Sequence, residues 1–120
     1  MAVVLLTVST FNTAFANDVD PAVAFAQLTF ALGNKGDALL AISTSGNAQN
    51  VLNAVMIAST MGIKTIGLTG ASGGKLNCLC DIMIRIPSED TYAIQEYHLP
   101  IYHALCAMLE NELFNIRHEK

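Results

Sequence analysis

Residues 37–47 read Asp37-Ala38-Leu39-Leu40-Ala41-Ile42-Ser43-Thr44-Ser45-Gly46-Asn47. The first half lacks the polar alternation of a strand wetted on one face, so it belongs in a sheet buried on both sides. The second half is a polar turn. Beyond it Val51, Leu52, Val55, Ile57 and Met61 supply the apolar groups of a helix closed by Gly62. Strand, turn and helix in that order begin a β-α-β unit, and residues 64–69 (KTIGLT) supply its second strand.

The alternation extends in both directions. Towards the N-terminus, residues 3–7 read as a flat apolar strand, and Asp20-Pro21 opens a helix. Asp20 can cap it, and Pro21 suits the first turn, where its missing N–H is not needed. Val23, Leu28 and Leu32 give that helix its apolar contacts and Gly33 stops it. Towards the C-terminus come a turn at 70–74, a short helix at 75–80 and a strand at 81–86 ended by Pro87. Residues 91–114 form a long terminal helix, expected to bend near Pro100, which cannot donate a helical hydrogen bond. The expected fold is α/β, a doubly wound parallel sheet in a single domain over residues 1–120, with both faces covered and right-handed crossovers. Ligands of such open sheets sit beyond the C-terminal ends of the strands. That rule singles out residues 16–18, 43–47 and 70–74.

Composition narrows the function. Of 120 residues, 52% are hydrophobic and 13% charged, with a net charge of −4. Disorder is excluded, because it needs low hydrophobicity and high charge. The six basic residues form no cluster, which disfavours direct binding of nucleic acid. No apolar run approaches the roughly 20 residues of a membrane span. Residues 2–6 and Ala14-Phe15-Ala16 resemble a secretion signal, but no basic residue precedes the run and polar residues interrupt it at 7–13. Cys78, Cys80 and Cys106, odd in number and set among apolar residues, read as reduced core thiols of a cytoplasmic protein. So little charge on so small a body also implies apolar surface covered by a partner.

Ser43-Thr44-Ser45-Gly46-Asn47 carries the chemistry. Three hydroxyls leave a strand and enter a helix whose first N–H groups have no intrahelical partner, while Gly46 lets the backbone come close to a ligand. Hydroxyls, free amides and the positive helix end suit an anion, phosphate best of all. The alternative is that these side chains simply cap the helix. No lysine completes a nucleotide-triphosphate loop.

Three blocks in order, GDALLAISTSGNAQNVLNAV (36–55), GIKTIGLTGASGGKLNCLCDIMIRIPSEDT (62–91) and IQEYHLPIYHALC (94–106), resemble the SIS (sugar isomerase) domain, a flavodoxin-like fold. The nearest branch is similar to phosphoheptose isomerase, which interconverts the ketose and aldose forms of a heptose 7-phosphate. The resemblance implies that Ser43, Thr44 and Ser45 hold the sugar phosphate and that Asn17 and Asp18 contact the sugar chain. It implies that Gln95 and His103 contribute to catalysis and to a metal site, expected to be zinc, with Gln95 also touching substrate. A homotetramer with sites lined by more than one subunit is implied as well. Ala48 stands where the family often has a further serine, and Tyr92 where some members carry a polar sugar contact. The family's N-terminal third, with its Gly-Asn-Gly-Gly-Ser loop and the histidine and glutamate that complete the metal site, has no counterpart in these residues. The glutamate is the family's expected general base, so the 120 residues alone are expected to bind without turning over. The other functional reading is a non-catalytic SIS regulator, such as the replication-initiator-associating branch.

Read without the resemblance, His103 is a core or interface residue on a helix of Ile101, Leu105, Met108 and Leu109. Gln95 lies eight residues upstream, about 12 Å of helix rise, so the two share an ion only if their side chains reach towards each other. His98, three residues from Gln95, is its neighbour on the helix and is expected at the surface or behind the site. Glu96 reads as a solvated helix residue.

Overall fold

The computed structural model describes Ala14 and residues 17–114; the strand expected at 3–7 lies outside the described residues. After a 3-10 turn at Pro21–Val23 come α1 (Ala24–Leu32), β1 (Ala38–Ile42), α2 (Gln49–Thr60), β2 (Lys64–Thr69), α3 (Leu76–Leu79), β3 (Ile82–Arg85) and α4 (Thr91–Phe114). The local signals act as expected. Asp20 Oδ1 accepts from the Ala22 N–H at 2.9 Å with Pro21 at the first position, and the Gly33 N–H closes α1 on the Thr29 carbonyl at 2.9 Å. Leu28 is buried, but Leu32, the last residue of α1, is 47% exposed.

The strands form one parallel sheet in the order β1-β2-β3, with Ala38 opposite Lys64, Ile42 opposite Leu68, Ile66 opposite Ile82 and Thr69 opposite Arg85. Because the order advances in one direction, crossovers of one hand place α2 and α3 on the same face. The core agrees: Ala41, Leu52, Val55 and Leu76 pack together with Leu39, Val51, Cys80 and Met83. Burying Leu52, Val55 and Leu76 contributes about 1.5–3 kcal/mol each. The alternate residues of the strands look the other way, and there Ile42 is 42% and Ile82 56% exposed. Among the described residues that second face has no crossover helix of its own.

Far from the strand C-termini, Asp81 ties β2 to β3. Its Oδ2 accepts from the Thr65 N–H at 2.8 Å and the Thr65 hydroxyl at 3.0 Å, while its own N–H donates to Thr65 Oγ1 at 3.0 Å. The Thr65 backbone N–H does most to hold the Asp81 carboxyl below the ordinary carboxylate range. Lys64 Nζ stands 3.7 Å away and largely in solvent, a geometry of small consequence. Burial pushes the neighbouring Cys80 thiol up. All three cysteines are free, but only Cys80 joins the core, since Cys78 and Cys106 are exposed.

The long helix α4 runs unbroken through Pro100. Asp90 Oδ2 accepts from the Ala93 N–H at 3.1 Å and so caps its start. Its buried residues are Ile94 and His98, both in the first two turns.

Candidate functional site

The loops after all three strands converge at one end of the sheet. The Ser43 N–H donates to the Leu68 carbonyl at 3.1 Å and the Gly70 N–H to the Thr44 carbonyl at 2.9 Å, so the β1 loop is stitched to the end of β2. The Ala71 N–H donates to the Ser88 carbonyl at 3.0 Å and draws in the loop before α4. Gly70 stands at this crossing. A Cβ there would lie 2.6 Å from Ile94 Cδ1, 2.9 Å from the Thr44 carbonyl oxygen and 3.1 Å from that of Ser88. The β1 and β2 loops also pack back to back: the Leu76 N–H donates to the Gly46 carbonyl at 3.1 Å and the Lys75 N–H to Asn47 Oδ1 at 2.9 Å.

Between these loops lies a cleft of about 200 Å³. Thr44, Ser45 and Asn47 line it from the β1 loop, Ser72 from the β2 loop, and Glu89, Thr91 and Ile94 from the approach to α4. Hydroxyls and one amide make up most of its polar lining, and Glu89 is the only charged side chain among the lining residues.

The capping alternative can be judged directly. The N-cap of α2 is Ala48, whose side chain cannot accept a hydrogen bond. Ser43 Oγ instead accepts from the Gly46 N–H at 3.2 Å and Ser45 Oγ from the Asn47 N–H at 3.2 Å. The hydroxyls therefore shape the turn rather than cap the helix. Their positions differ: Ser43 is buried beneath the turn, while Thr44 and Ser45 face the cleft.

The other expected residues are spread more widely. Asn17 and Asp18 are exposed and helical, ahead of the turn that Asp20 caps. Thr91, Ile94, Gln95 and His98 stand at i, i+3, i+4 and i+7, one stripe of α4, which puts exposed Gln95 a turn beyond cleft-lining Thr91. His103 is exposed, about 12 Å of helix rise beyond Gln95 and turned some 80° from it, with its ring edge-on to Tyr102 at 5.1 Å. Among the described residues no three His, Cys, Asp or Glu side chains gather as a metal ion requires. A catalytic zinc takes three protein ligands. Gln95 and His103, two turns apart, do not form such a site by themselves.

Of the two places expected for His98, at the surface or behind the site, it takes the second. It is 3% exposed, and its Nε2 lies 3.3 Å from the Thr69 carbonyl oxygen. Its i+7 spacing from Thr91 and i+4 spacing from Ile94 was the signal available in the sequence.

Comparison with known proteins matches residues 11–111 to the SIS domain model. Over 111 residues the chain is 48% identical to the phosphoheptose isomerase of Aliarcobacter butzleri (strain RM4018), covering 92% of this chain and 59% of that protein. Over 109 residues it is 46% identical to that of Helicobacter pylori (strain P12), covering 91% and 57% respectively. The phosphoheptose isomerase structure from Neisseria gonorrhoeae superposes with a TM-score of 0.87 at 38% identity, covering 92% of this chain and 62% of that one. The chain thus spans somewhat more than half the length of these relatives.

Proposed function

The chain belongs to the SIS domain family, and we propose that it is the phosphosugar-binding part of a phosphoheptose isomerase, an enzyme of carbohydrate metabolism. The observation that carries this reading is the cleft of hydroxyls at the strand ends, with an uncapped helix start behind it. Thr44 and Ser45 donate to the phosphate of the sugar, and Ser43 holds the turn beneath them. Asn47 adds a donor from the same loop, and Thr91 faces the sugar from the opposite wall of the cleft. Such a set of neutral donors binds a phosphate through hydrogen bonds and the helix dipole rather than through an ion pair.

In ketose–aldose isomerisation a base carries a proton between adjacent carbons through an enediol, while an acid steadies the charge on oxygen. Gln95, a turn above the cleft, orients the sugar chain, and Asn17 and Asp18 contact its hydroxyls. His103 serves as the acid. It lies beyond the cleft on its own helix and acts in a site completed by a second copy of the chain. The family's glutamate base has no counterpart among these 120 residues. The likeness to phosphoheptose isomerases favours this reading over a non-catalytic regulator. A cytoplasmic setting accords with three free cysteines.

Titration calorimetry with sedoheptulose 7-phosphate tests the proposal. Binding is expected, and Ser45→Ala should weaken it by roughly 1–3 kcal/mol, the range for a hydrogen bond to a charged group. Unchanged affinity in both Ser45→Ala and Thr44→Val would remove the phosphate from this loop.

A further inference from the structure

Helix α4 is 24 residues long, yet Ile94 and His98 are its only buried side chains. Ile94 is an apolar contact over Gly70, and such a contact tolerates sliding and rotation. His98 is directional. A carbonyl oxygen can only accept, so its Nε2 carries a proton and donates to Thr69 across 3.3 Å. The same carbonyl accepts from the Ile86 N–H at 2.9 Å, which uses its second lone pair and fixes it at the junction of β2 and β3. The histidine therefore grips the sheet itself rather than a loop that could yield. Along the helix stripe, cleft-lining Thr91 and Ile94 and the neighbouring Gln95 are held in register by this bond.

We propose that His98 is a positioning residue: its Nε2–H···O=C bond to Thr69 pins the first turns of α4 to the end of β2, and so sets the cleft wall made by Thr91 and Ile94 and the place of Gln95. The binding consequence rests on the phosphosugar reading above, whereas the pinning itself does not. His98 takes no part in the chemistry. It decides whether the sugar-facing wall is in place when the phosphate is held.

Two substitutions separate the bond from the packing. His98→Leu keeps a buried apolar body and loses the donor; His98→Gln carries an amide N–H to a similar reach. Calorimetry compares both with the unaltered chain, using sedoheptulose 7-phosphate and inorganic phosphate as probes, and hydrogen exchange follows the amides of residues 94–98. His98→Leu should weaken the sugar phosphate about fivefold to tenfold, as expected for one lost hydrogen bond. It should leave inorganic phosphate unchanged and speed exchange in the first turns of α4. His98→Gln should restore both readouts. Equal weakening of the two probes would mean general damage to the fold and would overturn the proposal, as would sugar-phosphate affinity in His98→Leu equal to that of the unaltered chain. If the unaltered chain binds neither probe, the phosphosugar reading fails. The pin is then judged by exchange alone, and equal rates in all three proteins overturn it.

Discussion

Glu89 puts a carboxylate into a cleft whose other polar groups are hydroxyls and one amide. A phosphate anion entering that cleft meets donors on several sides and one like charge. Two unit charges about 4 Å apart in water interact by about 1 kcal/mol. Glu89→Gln should therefore tighten inorganic phosphate by about fivefold at low salt, with the gain shrinking as ionic strength rises. A calorimetric series in salt checks both parts, and weaker binding in Glu89→Gln would show that the carboxylate faces a donor instead. Gly46 is constrained more severely than its neighbours. Its φ is +67°, and a Cβ there would run into the Gly73 carbonyl oxygen, a backbone atom that cannot swing aside. Gly46→Ala should unfold at a clearly lower temperature than the unaltered chain, by a loss of at least 1 kcal/mol for a strained left-handed residue. Thermal denaturation followed by circular dichroism reads this, and an unchanged midpoint would mean that the two loops part easily.

At the scale of elements, the sheet has a tie at each end. The loops after β1, β2 and β3 are joined by backbone hydrogen bonds at the cleft, and Asp81 joins β2 to β3 at the other end. The Asp81 carboxyl is held low by Thr65, so its contribution to stability is complete above the ordinary carboxylate range and is lost as pH falls through its lowered value. Urea denaturation should accordingly show Asp81→Asn less stable near pH 7, with the gap to the unaltered chain closing below about pH 4. A gap that persists undiminished into that acid range would assign the loss to geometry rather than charge. Helix α4 differs from α2 in kind. α2 buries Leu52, Ala54, Val55 and Ala58 along its length, whereas α4 is anchored at one end and carries Pro100 in its middle. Among the described residues its outer half buries no side chain, and Met108, Leu109, Leu113 and Phe114 stand exposed there.

Over the whole molecule these uncovered surfaces add up. Met108, Leu113 and Phe114 are 63%, 48% and 70% exposed on α4, and Ile42 and Ile82 stand open on the second sheet face. The radius of gyration is 15.4 Å, against about 13.6 Å for a compact body of this length. Self-association is expected, with the outer half of α4 meeting a second copy. Light scattering should show a mass above 12.8 kDa that rises with concentration, and Phe114→Glu should lower it. A monodisperse monomer at all concentrations would send these surfaces to other segments of a longer chain. Among the described residues the strands, the helices and most of their ends were legible in the sequence, because they follow from apolar runs, the Asp20-Pro21 start and glycine stops that act within a few residues. The Ser43-Thr44-Ser45-Gly46 turn was legible as well, since hydroxyls between a strand and a helix have few uses. Which of its side chains face the cleft was not: Ser43 turns inward and Ser45 outward according to packing against the β2 loop, 28 residues away between Asn47 and Lys75. What His98 bonds to was hidden for the same reason. Its neighbours along the helix are charged, aromatic and apolar in turn, and its partner, the Thr69 carbonyl 29 residues earlier, is a backbone atom that carries no mark in the sequence. Local chemistry determined where each element begins and ends, and the tertiary structure alone decided which faces meet, because a hydrogen bond to a distant main-chain oxygen depends on position and not on residue type.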